Sequence, residues 1–149
     1  MMLFAALLLL QAAPAVAECT ATDVGLAANL SGWTTPATAF GVNKAVTLEA
    51  RDVSKLTGVP AGTKPGGAVM IGFRIEAAGR YGIAPDQRVW IDVVPGVAGG
   101  EALKSTAHGH GPKCSTIRKI VRFDLKPGVY RLYVTGLEKP EARVMLVAD

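Results

Sequence analysis

Between Ala68 and Val147 the apolar residues recur at every second position, in short runs that each stop at a turn signal. A period of two buries one side of an extended segment and leaves the other polar, which marks half-buried strands rather than helices. In Ala68–Glu76, Val69, Ile71, Phe73 and Ile75 fall on one face, while Met70, Arg74 and Glu76 fall on the other. Arg88–Val94 (RVWIDVV) sends Val89, Ile91 and Val93 inward and Arg88, Trp90 and Asp92 to the opposite face. Ile117–Leu125 sets Val121, Phe123 and Leu125 against Arg118, Arg122 and Asp124, and Val129–Thr135 places Tyr130, Leu132 and Val134 together. Lys44–Ala50, Arg80–Ala84 and Ala142–Val147 read as further strands, and Glu101–Thr106 as a short one. Pro, Gly and Asp punctuate the gaps, and the Pro- and Gly-rich segment Arg51–Gly67 reads as a long loop. No long segment has a helical period. The best helical candidate is Thr22–Leu30, with Thr22 or Asp23 as its cap and Trp33 packing it onto the rest.

Seven or eight such strands predict an all-β fold, a single jelly-roll-like antiparallel β-sandwich with a short N-terminal helical turn. Two sheets face to face would bury Val69, Ile71, Phe73, Ile75, Ile91, Val121, Phe123, Leu132 and Val144. There are no internal repeats and no low-complexity linker, so residues 18–149 are expected to form one domain.

The chain opens MMLFAALLLLQAAPAVAECT. The apolar run Leu3–Leu10 leads to Ala15-Val16-Ala17, the small-x-small pattern read by signal peptidase, and it is too short to span a bilayer. No basic residue precedes the run, a departure from the usual pattern. Glu18 before Cys19 argues against a lipoprotein site. Residues 1–17 are therefore expected to be a signal peptide, leaving a periplasmic or secreted domain without a membrane span. In that compartment two cysteines most simply pair, here Cys19 with Cys114, tying down the N-terminus.

The formal net charge of +4 is modest and spread out, densest over Lys113, Arg118, Lys119, Arg122 and Lys126. It fits simple solubility, or attraction to an anionic polysaccharide or lipid headgroups; an envelope protein is a further candidate partner. No nucleic-acid-binding motif is present.

The segment STAHGHGPKCSTIRK holds both histidines of the chain and one of its cysteines. Imidazoles at i and i+2 of an extended segment point to one side, so His108 and His110 could bind Cu(II), Zn or Ni weakly, given a third ligand from elsewhere. Alternatively they are polar members of an exposed turn, or hydrogen-bond backbone around the cysteine link; an H-x-H motif alone does not decide. No cofactor is required by the sequence. Nucleophilic catalysis finds no support: no G-x-S-x-G elbow is present, and a disulfide would occupy Cys114. Trp90, with Arg88 and Asp92 beside it, could form a sugar- or peptide-binding platform. The usual burial of large aromatics favours a different arrangement, with Trp90 covered by the Arg51–Gly67 loop.

The runs FRIEAAGRYGI, RVWIDVV and VRFDLKPGVYRLYV resemble the strand pattern of bacterial pre-peptidase C-terminal domains and related jelly-roll modules, over roughly residues 68–147. In those families an F-x-I/L-x-A-x-G-x-Y strand pair and an L-x-P-G-x-Y-x-L hairpin recur. The segment AHGHGPKCSTIRKIVRFDLKPG, with the WIDV strand, is similar to a group of small exported proteobacterial proteins. Some of these carry the label homogentisate 1,2-dioxygenase. That resemblance implies non-haem iron held by His108, His110 and a carboxylate such as Glu101 or Asp92. The residues depart from it: no acid follows the histidines until Asp124, no second histidine motif exists, and the homogentisate enzymes are much longer chains. A binding or accessory module is the leading expectation, and a metal-dependent oxygenase the alternative.

Overall fold

The computed structural model describes residues 18–149; the expected signal peptide and its cleavage site lie outside the described residues. Nine strands build two antiparallel sheets. They are β1 (Ala45–Glu49), β2 (Arg51–Asp52), β3 (Gly67–Ile75), β4 (Gly79–Pro85), β5 (Trp90–Pro95), β6 (Ala107–His110), β7 (Lys119–Leu125), β8 (Gly128–Leu137) and β9 (Glu141–Ala148). The first sheet has the order β1-β9-β4-β7-β6, and the second β2-β3-β8-β5. The expected β-sandwich is what forms.

The strand count rises to nine for two local reasons. Arg51 and Asp52 pair with Ala68 and Gly67, closing the mouth of the long loop with a two-residue rung. The short strand expected at Glu101–Thr106 is displaced: that segment lacks a ladder, and the histidine segment itself forms the strand, β6. Leu103 only touches β5, donating its backbone N–H to the Val93 carbonyl at 2.8 Å.

Consecutive strands mostly change sheet. From β1 to β2, from β3 to β6, and again from β7 to β9, the chain crosses the sandwich at each connection, while many hydrogen-bonded partners are distant in sequence, as in β4 with β9 and β3 with β8. Lys126-Pro127 therefore turns a corner between layers and is not the hairpin of the motif it resembles. Tyrosines brace two such corners. The Tyr130 hydroxyl donates to the Lys126 carbonyl at 2.8 Å and accepts from the Lys126 N–H at 3.0 Å. The Tyr81 hydroxyl donates to the Ala77 carbonyl at 2.7 Å. Each ring lies four residues past the carbonyl it holds, which gives the Tyr in both repeated patterns a mechanical reason.

The layer between the sheets contains Val69, Phe73, Ile75, Ile91, Val121, Phe123, Leu132 and Val144, all buried, with Ile71 half-buried beside them. Phe73 is packed edge-on against Phe40 and stacked on Tyr130, both at 5.6 Å between centroids. A second apolar cluster lies on the outer face of the first sheet, where Leu30 and Trp33 cover Ala45, Ala84, Ile117, Ile120, Met145 and Val147.

The N-terminal segment supplies that cover. Its helical turn is a 3-10 helix at Ala28–Thr34, not the expected Thr22–Leu30. Asp23 adopts a positive φ of 59° and caps nothing in its own segment. Its carboxylate instead accepts from the Thr116 backbone N–H at 2.7 Å and from the Thr116 hydroxyl, and Thr116 accepts from the Trp33 indole N–H at 2.8 Å. The Arg143 guanidinium lies over the Trp33 ring, 5.6 Å from its centroid. Cys19 and Cys114 form the expected disulfide, with Cα atoms 5.4 Å apart.

The bond closes a span of 95 residues. Replacing both cysteines by serine is expected to lower the unfolding free energy by about 2–5 kcal/mol. Urea unfolding of residues 18–149 followed by Trp33 emission measures this. A loss below about 1 kcal/mol would mean that packing and the Asp23–Thr116–Trp33 chain suffice to hold the segment.

Candidate functional site

β6 is the last strand of the first sheet and β5 the last of the second, and both lie on the same side of the sandwich. Between them the layer ends without a covering strand. Most side chains singled out in the sequence converge on this edge.

β6 pairs with β7 alone, setting His108 opposite Val121 and His110 opposite Lys119. Val121 faces the layer between the sheets, so both imidazoles project toward the β5 side, and at the edge both stay exposed. The hairpin that brings β6 onto β7 needs Gly111, where a Cβ would overlap the Ile117 carbonyl. Cys114 sits in the same turn at a φ of 59°, so the disulfide fastens the hairpin as well as the N-terminus. The histidines thus occupy a strand, not a turn, and among the described residues neither imidazole makes a hydrogen bond.

Across the gap, Trp90 is 65% exposed. The expectation that the Arg51–Gly67 loop would cover it is wrong for a physical reason. That loop covers polar side chains on the neighbouring strand β8, whose outward face is buried. Tyr133 is fully buried and donates its hydroxyl to the Thr57 carbonyl at 2.9 Å. Arg131 donates to Gly96, to Gly99 and to the Tyr133 hydroxyl. The guanidinium, held only by neutral oxygens, needs its acceptors in the Pro95–Gly100 turn, while the Tyr133 hydroxyl holds Thr57 of the long loop over β8, so that this loop walls the Trp90 cleft without covering the ring.

Three contiguous clefts surround Trp90 and the histidines. The outer one, about 680 Å³, lies on the outside of the second sheet, with Trp90, Asp92 and Thr135 on its floor and Ala61–Lys64 as its wall. Trp90 continues into a smaller apolar slot of about 260 Å³ that opens on Ile91 and Val121 and is edged by His108 and Ser105. Beyond it, a groove of about 410 Å³ is lined by Arg88, His108, His110, Arg118 and Lys119, with no acidic side chain. Arg88 borders both the outer cleft and this groove.

The electrostatics differ between the two ends. Ion pairs among the described residues join Asp149 to Arg80 at 3.3 Å and to Arg122 at 3.1 Å, so Arg88, Arg118 and Lys119 have no acidic partner. Burial, followed by the Arg118 and Arg88 charges, pushes the Lys119 ammonium down, and its Nζ donates to the Val89 carbonyl, linking the two sheets. In the outer cleft, burial pushes the Asp92 carboxyl up, while the Trp90 indole N–H acts in the opposite direction.

The expected ligand sets separate accordingly. Asp92 lies in the outer cleft with Trp90, apart from the histidine groove, and Glu101 is exposed and lines none of the three. Among the described residues no group of three His, Cys, Asp or Glu side chains could hold a metal ion. The iron triad implied by the dioxygenase label is therefore not assembled from His108, His110 and either acid. Arg118, Lys119, Lys64 and Thr135 join the site without having been singled out for it. The basic run near residue 118 was visible, but only the β6–β7 register sends Lys119 here and leaves Arg122 to Asp149.

No family model, no curated protein and no solved structure matches the chain.

An acid whose folded-state pKa is raised folds more favourably when protonated, so ionised Asp92 costs stability above its titration range. Asp92→Asn is expected to give a small rise in melting temperature at neutral pH. The gain should vanish as pH falls below the ordinary carboxyl value of 3.8, where the wild-type side chain is also neutral. Melting curves at a series of pH values check the sign; a variant less stable at neutral pH would contradict it.

Proposed function

We propose that this protein is an exported binding module whose ligand surface is the open β5–β6 edge, and that its ligand is a polyanion. The supporting observation is the groove of Arg88, Arg118, Lys119, His108 and His110, lined by no carboxylate. Cations crowded together without counterions repel one another, and an incoming anion relieves that repulsion. The exposed Trp90 beside the groove adds apolar contact area, the arrangement that suits a ligand with both charge and flat apolar faces. A metal-dependent enzymatic reading has less behind it, because among the described residues no three His, Cys, Asp or Glu side chains come together to hold a metal ion.

A transition-metal ion is a second reading, favoured by His108 and His110 projecting side by side from β6. Two imidazoles give weak binding, and the three neighbouring cations oppose a further positive charge. Titration of copper(II) into residues 18–149 and into a His108→Ala/His110→Ala double variant tests it. Identical isotherms would remove this reading and leave the polyanion reading intact.

Dextran sulfate serves as the polyanion probe. Binding is expected to weaken steeply with added salt, because exposed charges are screened. Arg88→Ala/Arg118→Ala is expected to weaken it by about 3- to 30-fold, while Lys44→Ala/Lys139→Ala, with the same loss of charge beside the opposite edge strand β1, should change it less than about twofold. Equal effects of the two variants in calorimetry would assign the attraction to net charge alone.

A further inference from the structure

The two ends of the edge differ in chemistry, and Trp90 lines both the outer cleft and the slot that joins it to the groove. The groove at the histidine end presents cations only. The outer cleft presents a carboxylate, Asp92, on its floor, with the Thr135 position beside Trp90 and the polar wall of Thr63 and Lys64 opposite. On the floor of the outer cleft an anionic group would meet Asp92, with Lys64 and Arg88 only at its wall and rim, whereas a hydroxylated uncharged ring would find an acceptor there and an aromatic surface next to it. Arg88 stands on the rim between the two ends.

We propose that the ligand is an acidic polysaccharide in which charged and uncharged sugar units alternate. It crosses Trp90 with an uncharged pyranose in the outer cleft and its neighbour's carboxylate in the cationic groove. This inference rests on reading the β5–β6 edge as a polyanion-binding surface and adds the order of units along it. Pyranose rings carry apolar C–H faces with hydroxyls at their rims, so one unit can lie against the indole while its hydroxyls donate to Asp92. The carboxylate of the next unit then meets Arg88, Arg118 and Lys119 at a place with no competing acid. The cleft volumes are those of small-molecule sites, about 680 Å³ and 410 Å³, and the apolar slot beside Trp90 joins them.

The test compares four polymers on residues 18–149 by isothermal titration. Hyaluronan oligosaccharides alternate a uronic acid with an uncharged N-acetylhexosamine; polygalacturonate carries an acid on every unit; dextran is neutral; inorganic polyphosphate has charge and no sugar. Hyaluronan is expected to bind at least tenfold tighter than polygalacturonate, and dextran not measurably. Trp90→Ala should weaken hyaluronan by tenfold or more and polyphosphate by less than threefold. Asp92→Asn should weaken hyaluronan while tightening polygalacturonate, because it removes the repulsion that excludes an acidic unit; melting curves of both variants confirm that they are folded. Polygalacturonate binding as tightly as hyaluronan, or both variants affecting all polyanions alike, would overturn the alternating arrangement while leaving a polyanion surface standing. Failure of every polyanion to bind would overturn that surface and this inference together.

Discussion

The structure depends on one constraint: each sheet carries apolar or buried side chains on both faces, and packing the sheets together covers only one face of each. β9 shows the problem most plainly. Val144 and Leu146 point into the layer between the sheets, while Met145 and Val147 point outward and are equally buried. The outward pair needs a cover, and the N-terminal segment provides it through Leu30 and Trp33. A lone segment of this kind has little helix of its own and would fray. The disulfide and the Asp23–Thr116–Trp33 hydrogen bonds hold it where burial of the indole is favourable. On the second sheet the same demand comes from Tyr133 and Arg131, and two loops meet it. What neither cover reaches is the beginning of β5, and that is where Trp90 stands, while Val94 further along the same face is buried.

The alternation that made the strands legible works best where one face is polar. Val69, Phe73 and Ile75 against Arg74 and Glu76 in β3 could be read directly. It says nothing about which strands pair. Lys126-Pro127-Gly128 looks like a hairpin turn because hairpins and corners use the same turn residues, yet β7 and β8 belong to different sheets. The tyrosines at residues 81 and 130 are the missing discriminator, since a ring four residues past the turn bonds back to it only if the chain folds over the end of the layer. The helix was misplaced for a related reason. Asp23 resembles an N-cap, but its carboxylate serves Thr116, a partner 93 residues away that no local pattern announces.

Part of the site was also legible. Cys19 and Cys114 were the only pair available, and Arg88, Trp90 and Asp92 share an outward face by simple alternation. Whether Trp90 would be covered depended on where the Arg51–Gly67 loop settled, and burial statistics pointed the wrong way. The loop settles over β8, where its Thr57 carbonyl accepts from the buried Tyr133 hydroxyl, a donor that is costly to leave unpaired, whereas an indole can stay in water. The histidines had a correct geometry and a misjudged setting. Their common direction follows from i, i+2 spacing; the cations around them come from the chain entering β5 and β7, whose positions are tertiary facts.

The location of the open edge is itself a consequence of topology. Strands change sheet at nearly every connection, but β6 and β7 stay together in the first sheet, joined by the hairpin that Gly111 and Cys114 shape. Had the chain crossed once more between them, a strand would lie beside β5, satisfying its edge and covering Ile91. Instead the first sheet gains an extra strand, and the second ends at β5 with only Leu103 touching it. An exposed edge of this kind invites pairing with another strand unless charge or shape prevents it. Here Arg88, Arg118 and Lys119 stand beside it, and a second copy presenting the same cations would be repelled. On the proposed reading the same charges would attract a negatively charged chain, so that protection of the edge and binding at it would have one physical cause.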